Sequence, residues 1–245
     1  MESGDGELGF PYEISFSHTP SLPHPHSPTP YRMLTDVWAL FEDHVFPAAS
    51  SEERFNLYRD RRDDLDVDGA PAIRRDNLRA YLAAYDATPP LFLLLEAPGP
   101  WGCRFSGVPI TSEAQLADSD FPIDGRPTSR EDAPHTEYSA SIFWRVCQPL
   151  FPHFFVWNSV PHHPHDPGEP LSIRTPRRTE VREWQALLTG LLDALEPERI
   201  VGVGRKGERA LEEAGADPTY VRHPSQGGAK KFEAGINEIA AELGL

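Results

Sequence analysis

Three polar residues suited to catalysis or ligand recognition follow apolar segments in this sequence: Glu96, Asn158 and His223. A carboxylate can orient water, an imidazole can donate a hydrogen bond, and an amide offers both a donor and an acceptor. Glu96 follows the run LFLLL and precedes a loop rich in Gly and Pro. Ligands bind outside the carboxyl ends of parallel strands, so the three side chains are expected to converge on one ligand.

Strands that alternate with helices predict the sheet that would position these residues. The run at 91–95 is too short for a helix and matches a buried strand. Segments with helical spacing separate it from later strands, and 115–135 is predicted to be a polar surface loop. This order predicts an α/β fold with three layers, α/β/α, around a central parallel sheet of about four strands. The predicted strands are 91–95, 153–157, 199–203 and 219–223, and the predicted helices are 31–46, 50–61, 71–85, 137–149, 177–195, 204–215 and 226–243.

The chain is predicted to divide at residue 30. Residues 1–30 end in SHTPSLPHPHSPTP, whose prolines exclude regular structure and whose polar residues exclude a core. Residues 31–245 are enough for one good core, so a single α/β domain is expected there.

Histidines cluster in two proline-rich stretches, and neither stretch has the spacing of a zinc site. No acidic or cysteine partner stands at ligand distance in sequence, so both are predicted to be loops and no metal is expected. These histidines are His24 and His26 in the first stretch and His162, His163 and His165 in the second.

The net charge of −15, from 38 Asp and Glu against 23 Lys and Arg, taken alone argues against nucleic-acid binding. Such an acidic, lysine-poor surface suggests a high-salt cytoplasm, and an acidic chain in an ordinary cell would look similar. The basic groups, however, gather in residues 174–231, which carry 11 basic and 9 acidic groups. A partly solvated helix face would give the same count.

Two cysteines, Cys103 and Cys147, give neither a metal-ligand pattern nor a disulfide framework. A reducing cytoplasm is therefore the expected compartment. No apolar run is long enough to span a membrane, and no charged segment followed by an apolar core begins the chain. We expect a cytoplasmic monomer with no membrane partner.

The stretch 96–111, EAPGPWGCRFSGVPIT, resembles the first motif of the uracil-DNA glycosylase superfamily. Its layout is similar to the single-strand-selective branch, which has Asn-Pro-Gly-Pro-Phe-Gly followed by Gly-Val-Pro-Phe. The start Glu-Ala-Pro-Gly instead resembles the iron-sulfur branch, which has Glu at the water-activating position. Asn158 after FVW matches the asparagine that reads the uracil edge, and 223–225 matches the His-Pro-Ser motif. The resemblance covers roughly residues 88–243.

The resemblance implies a monofunctional DNA glycosylase that flips uracil, or another deaminated base, out of DNA and removes it hydrolytically in base excision repair. Glu96 would orient the attacking water, and His223 would stabilise the departing base. Asn158 would read the N3–H and O4 edge of uracil. No cofactor is needed for these steps.

Contacts to the DNA backbone are expected from two further groups of residues. Backbone N–H groups at a helix start can hold a phosphate, which predicts such a role for Ser225, Gln226 and Gly227. Basic side chains can track the strand, which predicts contacts from Arg174, Arg177 and Arg178.

The sequence also departs from both branches. Two cysteines cannot supply the four ligands of an iron-sulfur cluster, so no cluster is expected. Ile110 stands where the single-strand-selective branch has the aromatic that stacks on the base, which leaves Phe105 and Trp101 as the candidates for stacking. Glu rather than Asn at position 96 leaves the damaged base open, because branches of the superfamily also remove deaminated purines.

Two alternatives from other functional classes remain. Gly202, Gly204 and Gly207 fit the dinucleotide fingerprint G-x-G-x-x-G, which would make the protein a nucleotide-binding oxidoreductase. Against it, the strand comes late in the chain, and the next strand ends on His223 rather than on an acidic residue. The second alternative is a member of the superfamily that binds DNA without catalysis.

Overall fold

The computed structural model describes residues 30–245, so His24 and His26 lie outside the described residues, as does the predicted N-terminal segment up to residue 29. Two short helical turns, Phe41–Val45 and Gln148–Leu150, supplement the main elements. The strands are β1 (Arg54–Phe55), β2 (Leu91–Leu95), β3 (Phe154–Asn158), β4 (His163–Pro164), β5 (Arg199–Val203) and β6 (Thr219–Val221). The helices are α1 (Pro30–Leu40), α2 (Ala70–Ala83), α3 (Cys103–Ser106), α4 (Glu113–Leu116), α5 (Tyr138–Cys147), α6 (Arg178–Glu183), α7 (Gln185–Leu195), α8 (Gly204–Glu213) and α9 (Ala229–Leu243).

Four parallel strands form the central sheet in the order β3-β2-β5-β6, which confirms the predicted sheet. β2 lies between β3 and β5, and its five residues are all buried. Leu95 pairs with Asn158 and Leu94 with Gly202, so these strands end level with one another. The loops that follow them therefore open onto one edge of the sheet.

Helices cover both faces of this sheet. Successive strand residues point to opposite faces, and in β3 the ring of Phe154 meets Phe143 of α5 with centroids 5.7 Å apart. Trp157 points to the other face and stacks on Phe41 at 4.3 Å. The predicted three-layer α/β/α arrangement is confirmed. Within residues 30–245, no helix combines the length and the apolar character needed to cross a bilayer.

The predicted helix at 50–61 is wrong. Residues 54–55 form β1, which pairs with β4 in the antiparallel sense, and turns follow. The buried amide of Asn56 explains the difference, because it donates to the carbonyls of Val45 at 2.8 Å and Ala48 at 2.7 Å. Asn side chains that bond to nearby backbone compete with helix formation.

The single helix predicted at 177–195 is divided in two. Trp184 takes non-helical angles between α6 and α7. Its ring is buried against His162, with centroids 4.8 Å apart. The helix is thus interrupted at the residue whose indole is buried against the loop after β3.

Candidate active site

A cleft of about 840 Å³ lies at the carboxyl edge of the sheet. It is lined by the loops that follow β2, β3, β5 and β6, together with the start of α5. Glu96, Asn158 and His223 all line it, so the structure brings these three predicted residues to one space. This volume is in the range of sites that hold a small organic ligand.

Glu96 is the first residue after β2, and its backbone is held by the segment that follows β3. Its carbonyl accepts hydrogen bonds from the Ser159 hydroxyl at 2.7 Å and the Val160 amide at 3.1 Å. Its Oε1 atom is buried without a hydrogen-bond partner among the described residues. Burial raises the pKa of this carboxyl, although the charge of Lys206 and a hydrogen bond from Thr175 oppose the rise. Glu96 therefore lines the cleft with a raised pKa and one buried oxygen that has no partner among the described residues.

Asn158 is the last residue of β3 and is 5% exposed. Its Nδ2 atom lies 3.9 Å from the sulfur of Cys103, which is a weak acceptor. The amide thus keeps most of its hydrogen-bonding capacity for a ligand in the cleft.

His223 follows β6 and has a fixed tautomer. The Ser225 amide donates to Nδ1 at 3.2 Å, and the Ser225 hydroxyl lies 2.8 Å from the same atom. An amide can only donate, so Nδ1 is an acceptor and the proton of the neutral ring lies on Nε2. Burial, helped by the charge of Arg222, lowers the pKa of His223 to about 4. At neutral pH the ring is an uncharged Nε2–H donor.

Two glycines make room for this histidine. A Cβ atom on Gly204 would come within 3.2 Å of the His223 Cβ, and Gly204 has φ +81°. A Cβ atom on Gly228 would overlap the carbonyl oxygen of His223. Larger residues at either position would displace the imidazole.

The predicted phosphate-binding turn reaches the cleft only in part. Ser225 and Gln226 line it, whereas Gly227 does not. Because the amide and the hydroxyl of Ser225 both bond to His223, Ser225 fixes the imidazole and has no N–H left for a phosphate. Gln226 has φ +50° and Gly227 has φ +74°, so two left-handed residues shape the turn.

The aromatic candidates for stacking lie in different places. Trp101 is 41% exposed and lines the cleft, as does Ile110. Phe105 is 1% exposed and does not line the cleft, because it belongs to α3 and contacts His135 and the Arg104 guanidinium. Ile110 has φ +48°, which is strained for a β-branched residue.

The predicted arginines are mostly occupied by carboxylates. Arg174 lines the cleft, but both of its terminal nitrogens lie 2.8 Å from Glu180 oxygens. Arg177 and Arg178 do not line the cleft and pair with Glu53 at 2.6 Å and Glu213 at 2.7 Å.

Other cations line the cleft, and sequence reasoning missed them. These are Arg205, Lys206 and Arg222, of which the last two form no ion pair with any described residue. Each follows β5 or β6 within three residues. The rule that pointed to His223, that polar residues just after a parallel strand face the ligand edge of the sheet, would therefore have found them.

Two further groups at the cleft, one half-buried and one buried, were also missed. Glu137, at the start of α5, and His163 both line it. The 162–165 stretch was predicted to be a loop, but His163 and Pro164 form β4, and His162, His163 and His165 are all buried. Nδ1 of His163 lies 2.8 Å from the Pro98 carbonyl, which fixes that nitrogen as the donor, and burial lowers the pKa of the ring to about 4. Among the described residues no three His, Cys, Asp or Glu are grouped to hold a metal ion.

The glycines of the dinucleotide fingerprint meet protein backbone. A Cβ atom on Gly202 would overlap the backbone of Glu208 in α8, and one on Gly207 would overlap the Leu94 carbonyl in β2. Close packing of α8 on the sheet therefore accounts for both glycines without a ligand.

Comparisons with known proteins show which known fold this chain shares. No protein-family model matches this sequence, and no curated protein matches it. The fold is similar to that of wild-type SMUG2 from Pedobacter heparinus in its crystal structure, with a TM-score of 0.60 and 12% sequence identity. The match covers 85% of this chain and 98% of that chain. At this identity the similarity shows a shared fold, which is the fold that the motif resemblance implied.

Proposed function

We propose that the protein is a monofunctional DNA glycosylase that removes uracil, or another deaminated base, from DNA in base excision repair. The observation that carries the proposal is that Glu96, Asn158 and His223 line one cleft. A base inside a duplex cannot reach such a cleft, so the target nucleotide is flipped out of the stack.

Asn158 selects the base in this proposal. Its amide can accept from N3–H of uracil and donate to O4, whereas cytosine presents the opposite pattern at these two positions. The buried position of Asn158 makes a mismatched edge costly, because an unpaired polar group would be left in the cleft.

Glu96 and His223 then act on opposite ends of the breaking bond. The Glu96 carboxylate orients a water towards C1′, accepts its proton and stabilises the positive charge that develops on the sugar. The Nε2–H of His223 donates to O2 of the departing uracil, which carries the electrons of the broken bond. A neutral imidazole suits this step because it can donate without having been charged first.

DNA reaches the cleft through its basic rim. The chain has a net charge of −15, so attraction to phosphates depends on local cations. Lys206 and Arg222 line the cleft without a direct ion pair to any residue in 30–245, and the backbone of Gln226 and Gly227 stays a candidate phosphate contact. Trp101 and Ile110 offer apolar surface to the base.

The test is base release from single-stranded oligonucleotides that carry one uracil, hypoxanthine or xanthine, at low and at high salt. Wild-type protein should leave abasic sites that break only after hot alkali, as a monofunctional enzyme does. Glu96→Gln should slow release by about 10²–10⁴-fold, the usual contribution of a general base.

A matched control is Glu52→Gln, an exposed glutamate far along the chain from the motifs, which should release base at the wild-type rate. If none of the three bases is released at either salt, the proposal is wrong and a DNA-binding protein without catalysis becomes the better account.

A further inference from the structure

Large apolar side chains are exposed around the mouth of the cleft. Four large hydrophobic residues are exposed among the described residues, and three of them, Trp101, Tyr138 and Ile173, line the cleft. The fourth, Leu245, lies outside it. Tyr138 is 73% exposed and Ile173 is 80% exposed. Single exposed apolar residues are common, but a group of them at one cleft indicates a binding surface. We call these three cleft residues the apolar rim.

Tyr138 and Trp101 belong to two segments that are packed on each other. Tyr138 is the first residue of α5. The residue before it, Glu137, packs its carboxyl on the loop that carries Trp101. A Cβ atom on Gly99 or on Gly102 of this loop would overlap that carboxyl. The two aromatic side chains of the apolar rim are therefore held close to each other by a tight backbone contact.

Ile173 lies on a segment that its neighbour Arg174 fixes. The Arg174 guanidinium donates to the Glu53 carbonyl at 3.0 Å and to both carboxylate oxygens of Glu180 at 2.8 Å. The backbone beside Ile173 is thus anchored, and yet its side chain stays in solvent. Its apolar surface is therefore available to a ligand of the cleft.

Electrostatic attraction alone gives this protein little affinity for DNA. The net charge is −15, which repels a polyanion. Lys206 and Arg222 line the cleft without an ion pair to any residue in 30–245, whereas the two other arginines that line it are each paired with a glutamate. Binding of DNA therefore needs a contribution that does not depend on charge.

The cleft is also larger than one base requires. Its volume of about 840 Å³ is near the top of the range of about 300–1,000 Å³ found for drug-sized ligands. A single pyrimidine ring is smaller than such a ligand, so space remains beyond Asn158 and His223, which meet the base in the proposed function. The groups that continue from a flipped base are the neighbouring nucleotides of the same strand.

We propose that Tyr138 and Ile173 hold the nucleotides that flank the target base, through stacking and apolar contact with their bases, so that DNA stays bound at salt concentrations that screen its phosphates. The inference rests on the proposed function for the position of the target base and names the surface that receives the rest of the strand. Stacking of a base on an aromatic ring tolerates any sequence, because every base has a flat apolar face. Salt weakens contacts between charges and does not weaken this contact.

The first test measures affinity over a salt series by fluorescence anisotropy. The probe is a fluorescein-labelled single-stranded oligonucleotide with one uracil on a 2′-fluorinated sugar, which resists base release because fluorine disfavours positive charge at C1′. Each phosphate contact on a single strand contributes about 0.7 to the slope of log affinity against log salt, so two free cations predict a slope of about −1.4. A slope of about −4 or steeper, which needs six or more phosphate contacts, would overturn the inference.

Variants of the apolar rim should lose affinity without a change of slope. Tyr138→Ala should weaken binding by about 5- to 100-fold at every salt concentration, the usual effect of removing one stacking ring. Tyr138→Phe keeps the ring and should bind like wild type. Ile173→Ala should weaken binding severalfold, because less apolar surface is lost. Leu245→Ala, at the exposed apolar residue outside the cleft, is the matched control and should bind like wild type. Wild-type affinity in Tyr138→Ala would overturn the inference.

A change in the DNA supplies the sharper version. A spacer without a base, placed on one side or the other of the uracil, removes one flanking base at a time. One of the two spacers should weaken wild-type binding as much as Tyr138→Ala does, and the variant should lose nothing further on that DNA. If the losses from the variant and from each spacer add in full, Tyr138 contacts neither flanking base, and the inference is wrong.

A protein occupant of the apolar rim would be detected in solution. If a second copy of the chain covered this surface, sedimentation would show dimers that form as concentration rises and that Tyr138→Ala dissociates. Such dimers, together with DNA affinity that Tyr138→Ala leaves unchanged, would overturn the inference.

The outcomes also separate the two proposals. Salt-tolerant binding that depends on Tyr138, without release of any base, would keep the apolar rim as a surface for nucleotides and overturn the glycosylase function. Release of uracil by a protein whose affinity does not depend on Tyr138 would overturn this inference alone.

Discussion

Asp66 and the cleft carboxyls Glu96 and Glu137 differ in how completely their buried oxygens are paired. Asp66 is fully buried, and its two carboxylate oxygens bond to the guanidinium groups of Arg74 and Arg104 and to the Arg62 amide. Burial alone would raise the pKa of Asp66, but the two guanidinium groups hold it below its usual range. Glu96 and Glu137 in the cleft each keep one buried oxygen that has no hydrogen-bond partner within residues 30–245.

This difference in pairing distinguishes charged groups that stabilise the fold from charged groups that are able to react. Paired buried charges fix the segments that carry them, because breaking one pair leaves an uncompensated charge in a medium of low polarity. Unpaired carboxyls cost stability, and their pKa rises towards the range in which they exchange protons. The Asp66 cluster is therefore interpreted as part of the scaffold, and Glu96 is the carboxyl that the proposed mechanism uses.

The largest effect is expected at Asp66. Asp66→Asn leaves Arg74 and Arg104 without their counter-charge and should lower the free energy of unfolding by about 3–5 kcal/mol. Urea unfolding measures this loss. Asp63→Asn, at an exposed pair with Arg61, should change stability little. Equal effects at both sites would show that the buried cluster is not a structural unit.

The second largest effect is expected on the rate of uracil release when His223 is replaced. His223→Leu removes the Nε2–H donor and should slow uracil release about 10²–10³-fold. His153→Leu changes an exposed histidine outside the cleft and is the control. Single-turnover kinetics measure both, and an unchanged rate in His223→Leu would remove the imidazole from the mechanism.

A smaller effect is expected on DNA affinity. Arg222 has no ion-pair partner among residues 30–245, so Arg222→Ala should weaken binding severalfold and lower the slope of log affinity against log salt by about one. Arg178 is already paired with Glu213, so Arg178→Ala should have less effect. Fluorescence anisotropy over a salt series measures the slope, and the reverse ranking would contradict the role of pairing.

The smallest effect is a shift in the pH profile. Glu96 must be ionised to accept a proton, so uracil release should fall as the pH drops through its raised pKa. Because the charge of Lys206 lowers that pKa, Lys206→Met should move the acid limb to higher pH, by less than about one unit. Lys230→Met in α9 should leave the limb in place. A shift to lower pH would contradict the assignment of the limb to Glu96.

Local patterns predicted the sheet and the three strand-end residues because both depend on short stretches of sequence. A run of five buried residues followed by a polar residue marks the end of a strand wherever the rest of the chain lies. The prediction of a helix at 50–61 was wrong because Asn56 bonds to the carbonyls of residues 45 and 48. The spacing of apolar residues does not encode that contact.

Glu137 and Phe105 show what the sequence could not supply. Glu137 reaches the cleft because the start of α5 packs on glycines about 35 residues earlier, which is a tertiary contact. Phe105 was a candidate for stacking by its position in the motif, but α3 turns its ring away from the cleft. The direction of a side chain on a short helix depends on packing that its neighbours in sequence do not reveal.

The most direct test of the central claim is to measure the stability and the rate of Glu96→Gln together. If the unpaired carboxyl is kept for chemistry at the expense of stability, the neutral amide should leave the free energy of unfolding equal to or above that of wild type. Uracil release should fall about 10²–10⁴-fold in the same protein. A variant that is less stable than wild type but releases uracil at the wild-type rate would place Glu96 in the scaffold with Asp66 and contradict the account.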